Sequence, residues 1–354
     1  MRVDSERMAE LFVTNFNRNY TGVSATAAGV LRQQMARYDL HLVGQPLPDC
    51  PDPITPAAAR RLSRTPPPGR PFAIWHVRRN SEMQTAIWAR DVLRLPIRVV
   101  FTSAAQRLHS VWPRWLISRM DAVIATTARA AEFVPHVRAV VPHGVDTARF
   151  APVDDRAAAW SASGFGGRRG IATIGRIRPE KGTNVFVETM LRALPDLPDV
   201  TALVIGKATN KHEGFLAGLR AQIAAAGLSE RILFPGEMAP DDLARLLPSL
   251  ELLVQLPLYE GYGMAPLEAM ASGVPLLASD TGYFRHFTQE GANGVILDRD
   301  APVAAAKALR ALLNGPDRLP AMARNAREDA VRLFSVTQEA ADINAVYEAL
   351  WAEG

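Results

Sequence analysis

The chain has 354 residues, long enough for two domains, and its apolar fraction of 48% and charged fraction of 21% are those of a folded globular protein. No run approaches the roughly 18 apolar residues of a membrane span, and residues 1–7 do not lead into the apolar core of a signal peptide, so a cytoplasmic protein is expected. The single cysteine, Cys50, excludes an internal disulfide and a cysteine cluster for metal.

The charge is unevenly distributed along the chain. Residues 1–150 carry 20 Arg, no Lys and 11 acidic residues, a net charge of +9, whereas residues 151–354 carry −5, which together give the formal net charge of +4. This asymmetry predicts an acidic partner for the first part only: a phosphorylated acceptor or an anionic membrane surface. Nucleic acid is disfavoured because zinc-finger spacing, an RNA-binding aromatic signature and a long basic tract are all absent. A general preference for Arg in the composition is the alternative explanation.

In chain order, short apolar runs alternate with helical stretches in the first part. The predicted strands are 11–14, 41–43, 72–75, 97–101, 122–125 and 137–141, and the predicted helices are 23–36, 82–93 and 129–134. Near-continuous apolar strands separated by helices predict a parallel sheet that is covered on both faces.

The remaining chain repeats this plan. The predicted strands are 170–175, 201–206, 231–234, 252–256, 274–278 and 294–297; the predicted helices are 183–193, 214–225, 241–247 and 267–272, with three more from residue 301 onward. The fold class is therefore α/β, with two doubly wound, Rossmann-like domains facing across a cleft. The expected domains are 1–155 and 156–335, and a final helix in 336–354 is expected to pack back toward the first domain.

Three polar motifs in the first domain follow predicted strands. Thr21-Gly22-Val23-Ser24 opens a helix, so the backbone of Gly22 is a candidate contact for phosphate or acceptor, although glycine begins many helices, and the motif is not a P-loop. Cationic and imidazole side chains at the next strand ends suit an anionic acceptor: His76, Arg78, Arg79, Arg107 and His109. A structural role is an equal alternative for either histidine. His143, in the turn that leaves the domain, is interpreted as structural.

In the second domain, Gly175-Arg176-Ile-Arg-Pro-Glu-Lys181-Gly182 lies between a strand and a helix start. Arg176 can bind two phosphate oxygens at once, and Lys181 is a movable point charge. The two side chains are predicted to neutralise the charge on a departing diphosphate without a metal ion. A basic turn that only caps its neighbours is the alternative.

A second motif, Tyr259-Glu260-Gly-Tyr-Gly-Met-Ala-Pro-Leu-Glu268, also joins a strand, a glycine turn and a helix start. Free N–H groups and the positive end of the helix dipole attract a phosphate there. Carboxylates repel phosphate but accept hydrogen bonds from hydroxyls, so Glu260 and Glu268 are predicted to hold two hydroxyl-bearing groups on either side of the phosphates. A nucleotide sugar has this arrangement of sugar, diphosphate and ribose.

With these motifs, the chain resembles the retaining nucleotide-sugar glycosyltransferases of family 4, which have the two-domain GT-B fold. The resemblance rests on Gly-Arg-(four residues)-Lys-Gly, on Glu-(seven residues)-Glu and on Pro142-His-Gly-Val-Asp146, and it spans nearly the whole chain. Four segments, 75–80, 101–107, 116–125 and 143–146, are similar to the lipopolysaccharide-core mannosyltransferases of alphaproteobacteria, which use GDP-mannose.

The resemblance implies a role for each matching residue. Arg176 and Lys181 would bind the diphosphate, Glu260 the donor sugar and Glu268 the ribose. Backbone N–H groups would come from Gly261, Tyr262, Gly263, Met264 and Ala265, and the nucleobase pocket would be lined by Gly206, Lys207, Gly236 and Glu237. Many family members have a histidine near the position of Ser103, and His109 is the candidate replacement.

The expected function is transfer of mannose from GDP-mannose, with retention, to an anionic glycolipid at the cytoplasmic face of the inner membrane. The donor is a substrate, and no metal or other cofactor is expected. Two enzyme alternatives share the fold, a transferase using a UDP-hexose and a sugar-nucleotide epimerase. A non-catalytic nucleotide-sugar sensor or membrane scaffold is the alternative outside the enzymes.

Overall fold

The computed structural model describes residues 9–19, 21–315 and 317–354, and its contacts divide the chain into two compact units. The first unit contains the chain up to Gly144 together with Phe334–Gly354, and the second is Val145–Leu333. The interpretation of residues 1–7 lies outside the described residues. No helix in the described ranges is long and apolar enough to cross a bilayer.

The first unit is built on a six-stranded parallel sheet in the order β2-β1-β3-β4-β5-β6. Its strands are β1 Leu11–Asn15, β2 Leu40–Gly44, β3 Ala73–Val77, β4 Ile97–Ser103, β5 Ala122–Ala125 and β6 Val137–Val140. The helices between them are α1 Gly22–Gln34, α2 Pro56–Leu62, α3 Asn80–Ile87, α4 Val111–Ser118 and α5 Ala128–Ala131, and a π-helical turn, Trp88–Val92, continues α3.

Side chains at alternate positions of β1 pack into two different cores, one on each face of the sheet. Both faces of the strand are therefore buried, which is why residues 11–13 are all apolar. Leu11 and Val13 pack with the α1 residue Leu31, whereas Phe12 packs with Trp75 on the opposite face of the sheet. Helices thus cover both faces, as predicted.

The second unit has a six-stranded parallel sheet in the order β12-β11-β10-β7-β8-β9. Its strands are β7 Arg169–Ile174, β8 Val200–Ile205, β9 Ile232–Gly236, β10 Leu250–Gln255, β11 Leu276–Ser279 and β12 Gly294–Leu297. Its helices are α6 Arg156–Ala162, α7 Thr183–Ala193, α8 Glu213–Ala225, α9 Pro240–Leu246, α10 Met264–Ala271, α11 Phe284–Thr288, α12 Pro302–Asn314 and α13 Arg318–Leu333.

The last helix, α14 Val336–Ala352, belongs to the first unit. It packs on α1, where the Gln34 amide donates to Asn344 Oδ1 at 2.8 Å. Near its other end, the Trp351 indole donates to the carbonyl of Phe72, just before β3, at 2.9 Å. Ser335 caps the helix, because its hydroxyl accepts from the Gln338 N–H.

Two features differ from the sequence-based expectations. The chain divides after Gly144 rather than after residue 155, since Arg327 of α13 donates to the carbonyls of Thr147 and Phe150 and thereby ties this segment to the second unit. Helices α2, α4, α6 and α11 were not among the predicted elements. Each has only five to eight residues, too few to establish a helical period.

Candidate active site

The strand order of the second unit creates a topological switch point between β7 and β10. The chain leaves β7 toward β8 on one side of the sheet and leaves β10 toward β11 on the other. Such a switch opens a crevice at the carboxyl ends of the strands, where ligands bind in doubly wound sheets. The basic motif follows β7 and the acidic motif follows β10, so both lie at this crevice.

An ion pair joins the two motifs across the switch point. The Lys181 ammonium lies 2.6 Å from Glu260 Oε2, and the backbone N–H of Leu258 donates to the carbonyl of Glu180 at 3.1 Å. A glycine permits this approach: Gly182 has φ 68°, and a Cβ atom there would lie 1.8 Å from the carbonyl oxygen of Leu256.

Glu260 is held by three contacts. Besides Lys181, its Oε1 accepts from the Gly261 N–H at 3.0 Å, and its own N–H donates to the Thr281 hydroxyl at 3.1 Å. Because the whole residue is fixed, its carboxylate presents a defined acceptor surface at the crevice.

Helix α10 begins at the same crevice with an uncapped N-terminus. Its N-cap residue, Gly263, has φ 105°, and a Cβ there would lie 2.2 Å from the ring of Phe284. Glycine has no side-chain oxygen to accept from the first turn, which leaves the N–H groups of Met264 and Ala265 as candidate donors to an anion. The helix starts three residues before the predicted start at residue 267, since Gly263 already provides the turn.

Glu268 is a half-buried carboxylate in α10 that forms no hydrogen bond or ion pair with any described residue. Burial raises its pKa to about 7, and the positive charge of Arg149 acts in the opposite direction. The Glu268 carboxylate is therefore free to accept hydrogen bonds from hydroxyl groups of a ligand. Such bonds would stabilise its ionised form and lower its pKa.

The other predicted residues of this unit lie along the same edge. Arg176 follows β7, Gly206 and Lys207 follow β8, and Gly236 and Glu237 lie at the end of β9. The charged side chains of Arg176, Lys207 and Glu237 are exposed and pair with none of the described residues. Gly261 and Tyr262 lie between Glu260 and the start of α10, and the contact of their backbone N–H groups with a donor stays a prediction.

The first unit has its own switch point, between β1 and β3, and Arg79 spans it. One guanidinium nitrogen donates to Asn15 Oδ1 and Glu82 Oε1, both at 3.0 Å, and the other donates to the Ser24 hydroxyl at 2.9 Å and the Thr21 hydroxyl at 3.4 Å. These bonds position the turn that opens α1 at Gly22. The prediction that Arg79 contacts an acceptor is therefore wrong, because its terminal nitrogens are engaged within the protein.

Glu82 is the buried partner that sequence reasoning missed. Its carboxylate accepts from the backbone N–H groups of Phe16 and Arg78 at 3.0 and 2.8 Å and from the Thr14 hydroxyl at 2.9 Å. Its spacing of three residues from Arg79, in the first turn of α3, was the only local signal.

His76 is also not an acceptor contact. It has no exposed surface, Nδ1 is hydrogen bonded to the Tyr347 hydroxyl, and Nε2 lies 2.7 Å from the Thr102 hydroxyl. Burial holds the pKa of this imidazole well below its usual range, and the neighbouring Arg78 charge adds to the effect. His76 is thus a neutral structural residue beneath α14.

His143 is likewise structural, as interpreted from the sequence. Its Nδ1 lies 2.7 Å from Glu339 Oε1, and the other oxygen of that carboxylate accepts from the Gly144 N–H at 2.8 Å. The pair attaches the end of the first unit's chain to α14.

Three side chains remain candidates for acceptor contact at the carboxyl edge of the first sheet. Arg78, directly after β3, is nine-tenths buried, yet its Nη1 has no hydrogen-bond partner among the described residues. Arg107 is exposed in the loop after β4, and in the same loop the buried Nε2 of His109 also lacks a partner. Burial lowers the pKa of His109, as does the charge of Arg107.

Ser103 lies at the end of β4, near the position where many family members have a histidine. Its hydroxyl is buried and has no hydrogen-bond partner among the described residues. Within the described ranges, no three His, Cys, Asp or Glu side chains are grouped in a way that could hold a metal ion.

Known proteins resemble this chain in sequence and in fold. A family model described as Glycosyl transferases group 1 matches residues 160–329. A lipopolysaccharide core biosynthesis mannosyltransferase, LpsB of Rhizobium meliloti (strain 1021), is 39% identical over 353 residues, covering 97% of this chain and 98% of that protein. A second one, LpcC of Rhizobium leguminosarum bv. viciae, is 36% identical over 346 residues, 97% of each.

Among solved structures, Anabaena HepE in complex with UDP and glucose superimposes with a TM-score of 0.83 at 15% identity, over 96% of this chain and 100% of that one. At this identity the likeness concerns the fold alone, and the fold is GT-B, with two six-stranded parallel sheets as the sequence predicted.

Proposed function

The chain belongs to the glycosyl transferases group 1 family, and we propose that it transfers mannose from GDP-mannose, with retention, to a lipopolysaccharide core or a related anionic glycolipid. The two relatives named as lipopolysaccharide core biosynthesis mannosyltransferases each match 97% of this chain, which supports mannose as the sugar and the core as the acceptor. We propose that the reaction takes place at the cytoplasmic face of the inner membrane, because a glycolipid acceptor would be anchored in a membrane.

One observation carries the chemistry: the ion pair of Lys181 and Glu260 at the switch point, beside the uncapped start of α10. A diphosphate in this crevice would meet Arg176, Lys181 and the N–H groups of Met264 and Ala265. As the sugar–phosphate bond breaks, negative charge collects on the leaving diphosphate, and these donors stabilise it electrostatically. The proposed mechanism uses these donors in place of a metal ion.

The two carboxylates would recognise the neutral parts of the donor. Glu260, fixed by Lys181, Gly261 and Thr281, would accept from hydroxyls of the mannose. Glu268, which has no described partner, would accept from the ribose hydroxyls. The base would lie toward the ends of β8 and β9, beside Lys207 and Glu237.

In a single displacement, retention requires the acceptor hydroxyl to attack from the face that the diphosphate leaves. In this scheme the acceptor hydroxyl gives its proton to a phosphate oxygen of the leaving group, so no side-chain base is needed. The charge that develops is again on the diphosphate, within reach of the same cations.

The acceptor would be recognised by the first unit. Residues 1–150 carry a net charge of +9, and the unused donor of Arg78 lies at the carboxyl edge of its sheet, with Arg107 and His109 in the next loop. An acceptor that bears phosphate or carboxylate groups complements this charge.

Saturation-transfer NMR tests the donor. The purified chain is mixed with GDP-mannose, UDP-glucose, UDP-galactose and UDP-N-acetylglucosamine, each competed with GDP or UDP. Selective GDP-mannose signals, displaced by GDP, are expected. Preference for a UDP sugar would contradict GDP-mannose as the donor, and turnover of the donor without acceptor would indicate an epimerase. Failure to bind any of these nucleotide sugars would contradict the proposed enzymatic function.

A transfer assay tests the acceptor and the stereochemistry. Core oligosaccharide that lacks the mannose is the acceptor, and the anomeric coupling of the product gives the configuration. A product with the anomeric configuration of the donor is expected, and an inverted product would contradict the proposed mechanism.

A further inference from the structure

Helix α4 and the loop before it expose four large apolar side chains within eight residues. Leu108 in the preceding loop is 61% exposed, Val111 81%, Trp112 53% and Trp115 48%. The two indoles stack, with ring centroids 5.1 Å apart and planes inclined by 10°. Soluble proteins rarely place several large apolar side chains together on one exposed helix face unless something binds there.

The exposed face is distinct from the face that anchors α4. Leu116 and Ile117 are completely buried in the core beneath the sheet, together with Met120. The helix therefore already has its apolar anchor, and the outer tryptophans add nothing to that core. They form a second apolar face, which we name the tryptophan face: Leu108, Val111, Trp112 and Trp115.

The segment that carries the tryptophan face is rich in arginine. From Val92 to Met120 the chain has five Arg and no Asp or Glu. The flanking Asp91 and Asp121 are bound by Arg90, Arg98 and Arg119. Arg114 lies on α4 between the two tryptophans in sequence, is exposed and pairs with no described residue.

We propose that the tryptophan face docks the protein on an anionic lipid bilayer, with the indoles in the interfacial layer and Arg114 against lipid phosphates. Tryptophan is enriched at membrane–water interfaces, and cationic side chains near an anionic surface add attraction. A second copy of the chain fits less well, because its own arginines would face these arginines. The position also suits the proposed function, since Leu108 lies between Arg107 and His109.

The docking experiment uses the full chain with vesicles and contains neither donor nor acceptor, so it can fail or succeed independently of the transferase proposal. Flotation is measured with vesicles of phosphatidylcholine containing about 30% phosphatidylglycerol and with pure phosphatidylcholine. Binding to the anionic vesicles is expected, with a blue shift of tryptophan emission as the indoles leave water.

Two variants and one matched control assign the surface. Trp112→Ser with Trp115→Ser, and separately Val111→Asp, are each expected to lower the partition coefficient about tenfold or more. Val303→Asp is the control, because Val303 is 66% exposed in the first turn of α12, in the other unit. Aspartate in a first helical turn favours the helix, so neither aspartate variant should unfold the chain, and near-ultraviolet circular dichroism checks this.

The proposal is overturned if the native chain does not float with anionic vesicles, or if the tryptophan and Val111 variants float as it does. A concentration-dependent dimer that Val111→Asp abolishes, without vesicle binding by the native chain, would overturn it in favour of self-association.

Discussion

Lys181 and Glu260 form an ion pair, Nζ to Oε2 2.6 Å, across the boundary between β7 and β10, although 79 positions separate them in the chain. The pair couples the residue proposed to bind the diphosphate with the residue proposed to bind the sugar. Each side chain therefore fixes the other, and their contributions to transfer should not be independent.

A double-mutant cycle measures this coupling. Lys181→Ala, Glu260→Gln and the double variant are compared in kcat/KM, and an interaction energy of about 1 to 3 kcal/mol is expected for two charged groups in contact at one site. Strictly additive losses would show that the ion pair has no part in the transition state.

Removal of Arg176 should lower turnover. Arg176→Ala is expected to reduce kcat on the order of 100- to 1000-fold at saturating donor, the usual cost of one donor to a developing negative charge. Arg168→Ala is the matched control, because Arg168 is also exposed but precedes β7 at the opposite, amino end of the strand. Near-native turnover of the Arg176 variant would remove its diphosphate role.

Donor affinity should depend on pH through Glu268. Burial raises the pKa of this carboxyl to about 7, so much of it is protonated at neutral pH. Ribose hydroxyls donate to the ionised form, so binding is linked to loss of the proton: the Kd of GDP should fall as pH rises from 6 toward 8 and level off above the pKa.

Isothermal titration calorimetry at several pH values checks this dependence, with Glu268→Gln as the comparison. The glutamine variant should bind GDP more weakly at pH 8 and show a flatter profile. If its pH profile matched that of the native chain, another group would be responsible.

The buried pair of His76 and Tyr347 should matter for stability rather than for transfer. Tyr347→Phe leaves the Nδ1 atom of His76 without a partner in a fully buried site, which should lower the free energy of unfolding by about 1 to 3 kcal/mol. Urea denaturation measures the loss, and transfer by the folded variant should stay close to native. A large fall in the turnover of the folded variant would instead indicate that His76 takes part in the reaction.

Arg78 should act on the acceptor alone. Arg78→Met keeps most of the side-chain volume and removes the donor, so the KM for acceptor is expected to rise about tenfold, as the loss of one charge-assisted hydrogen bond implies. The Kd for donor, measured by calorimetry, should be unchanged. Parallel weakening of donor and acceptor would instead indicate a general disturbance of the first unit.

Much of the second unit was readable from local sequence. Its apolar strands are buried on both faces, so they appear as continuous runs, and glycines stand where the backbone makes tight turns beside them. The helix expected at 183–193 is α7, with the same bounds, because Gly182 ends the turn before it and a strong apolar face follows. The strand order, and with it the switch point, could not be read locally, since pairing of β7 with β10 depends on contacts between distant segments.

In the first unit the same local reasoning misjudged two polar residues. His76 and Arg79 follow the pattern of ligand-binding residues at a strand end, but Tyr347 reaches His76 from 271 positions away, and Asn15 and Ser24 accept from Arg79 across the sheet. A sequence position specifies which groups a side chain can offer. Only the tertiary structure decides whether neighbouring segments already satisfy them.

The sequence by itself thus determined the α/β class, the two sheets and the residues at the crevice of the second unit, because apolar periodicity, glycine turns and charge are local properties. The tertiary structure decided the pairing of Lys181 with Glu260, the raised pKa of Glu268, the structural roles of His76 and Arg79, and the exposure of Trp112 and Trp115. Each of these depends on which distant groups exclude water from a side chain or satisfy its hydrogen bonds, and long-range packing alone sets that.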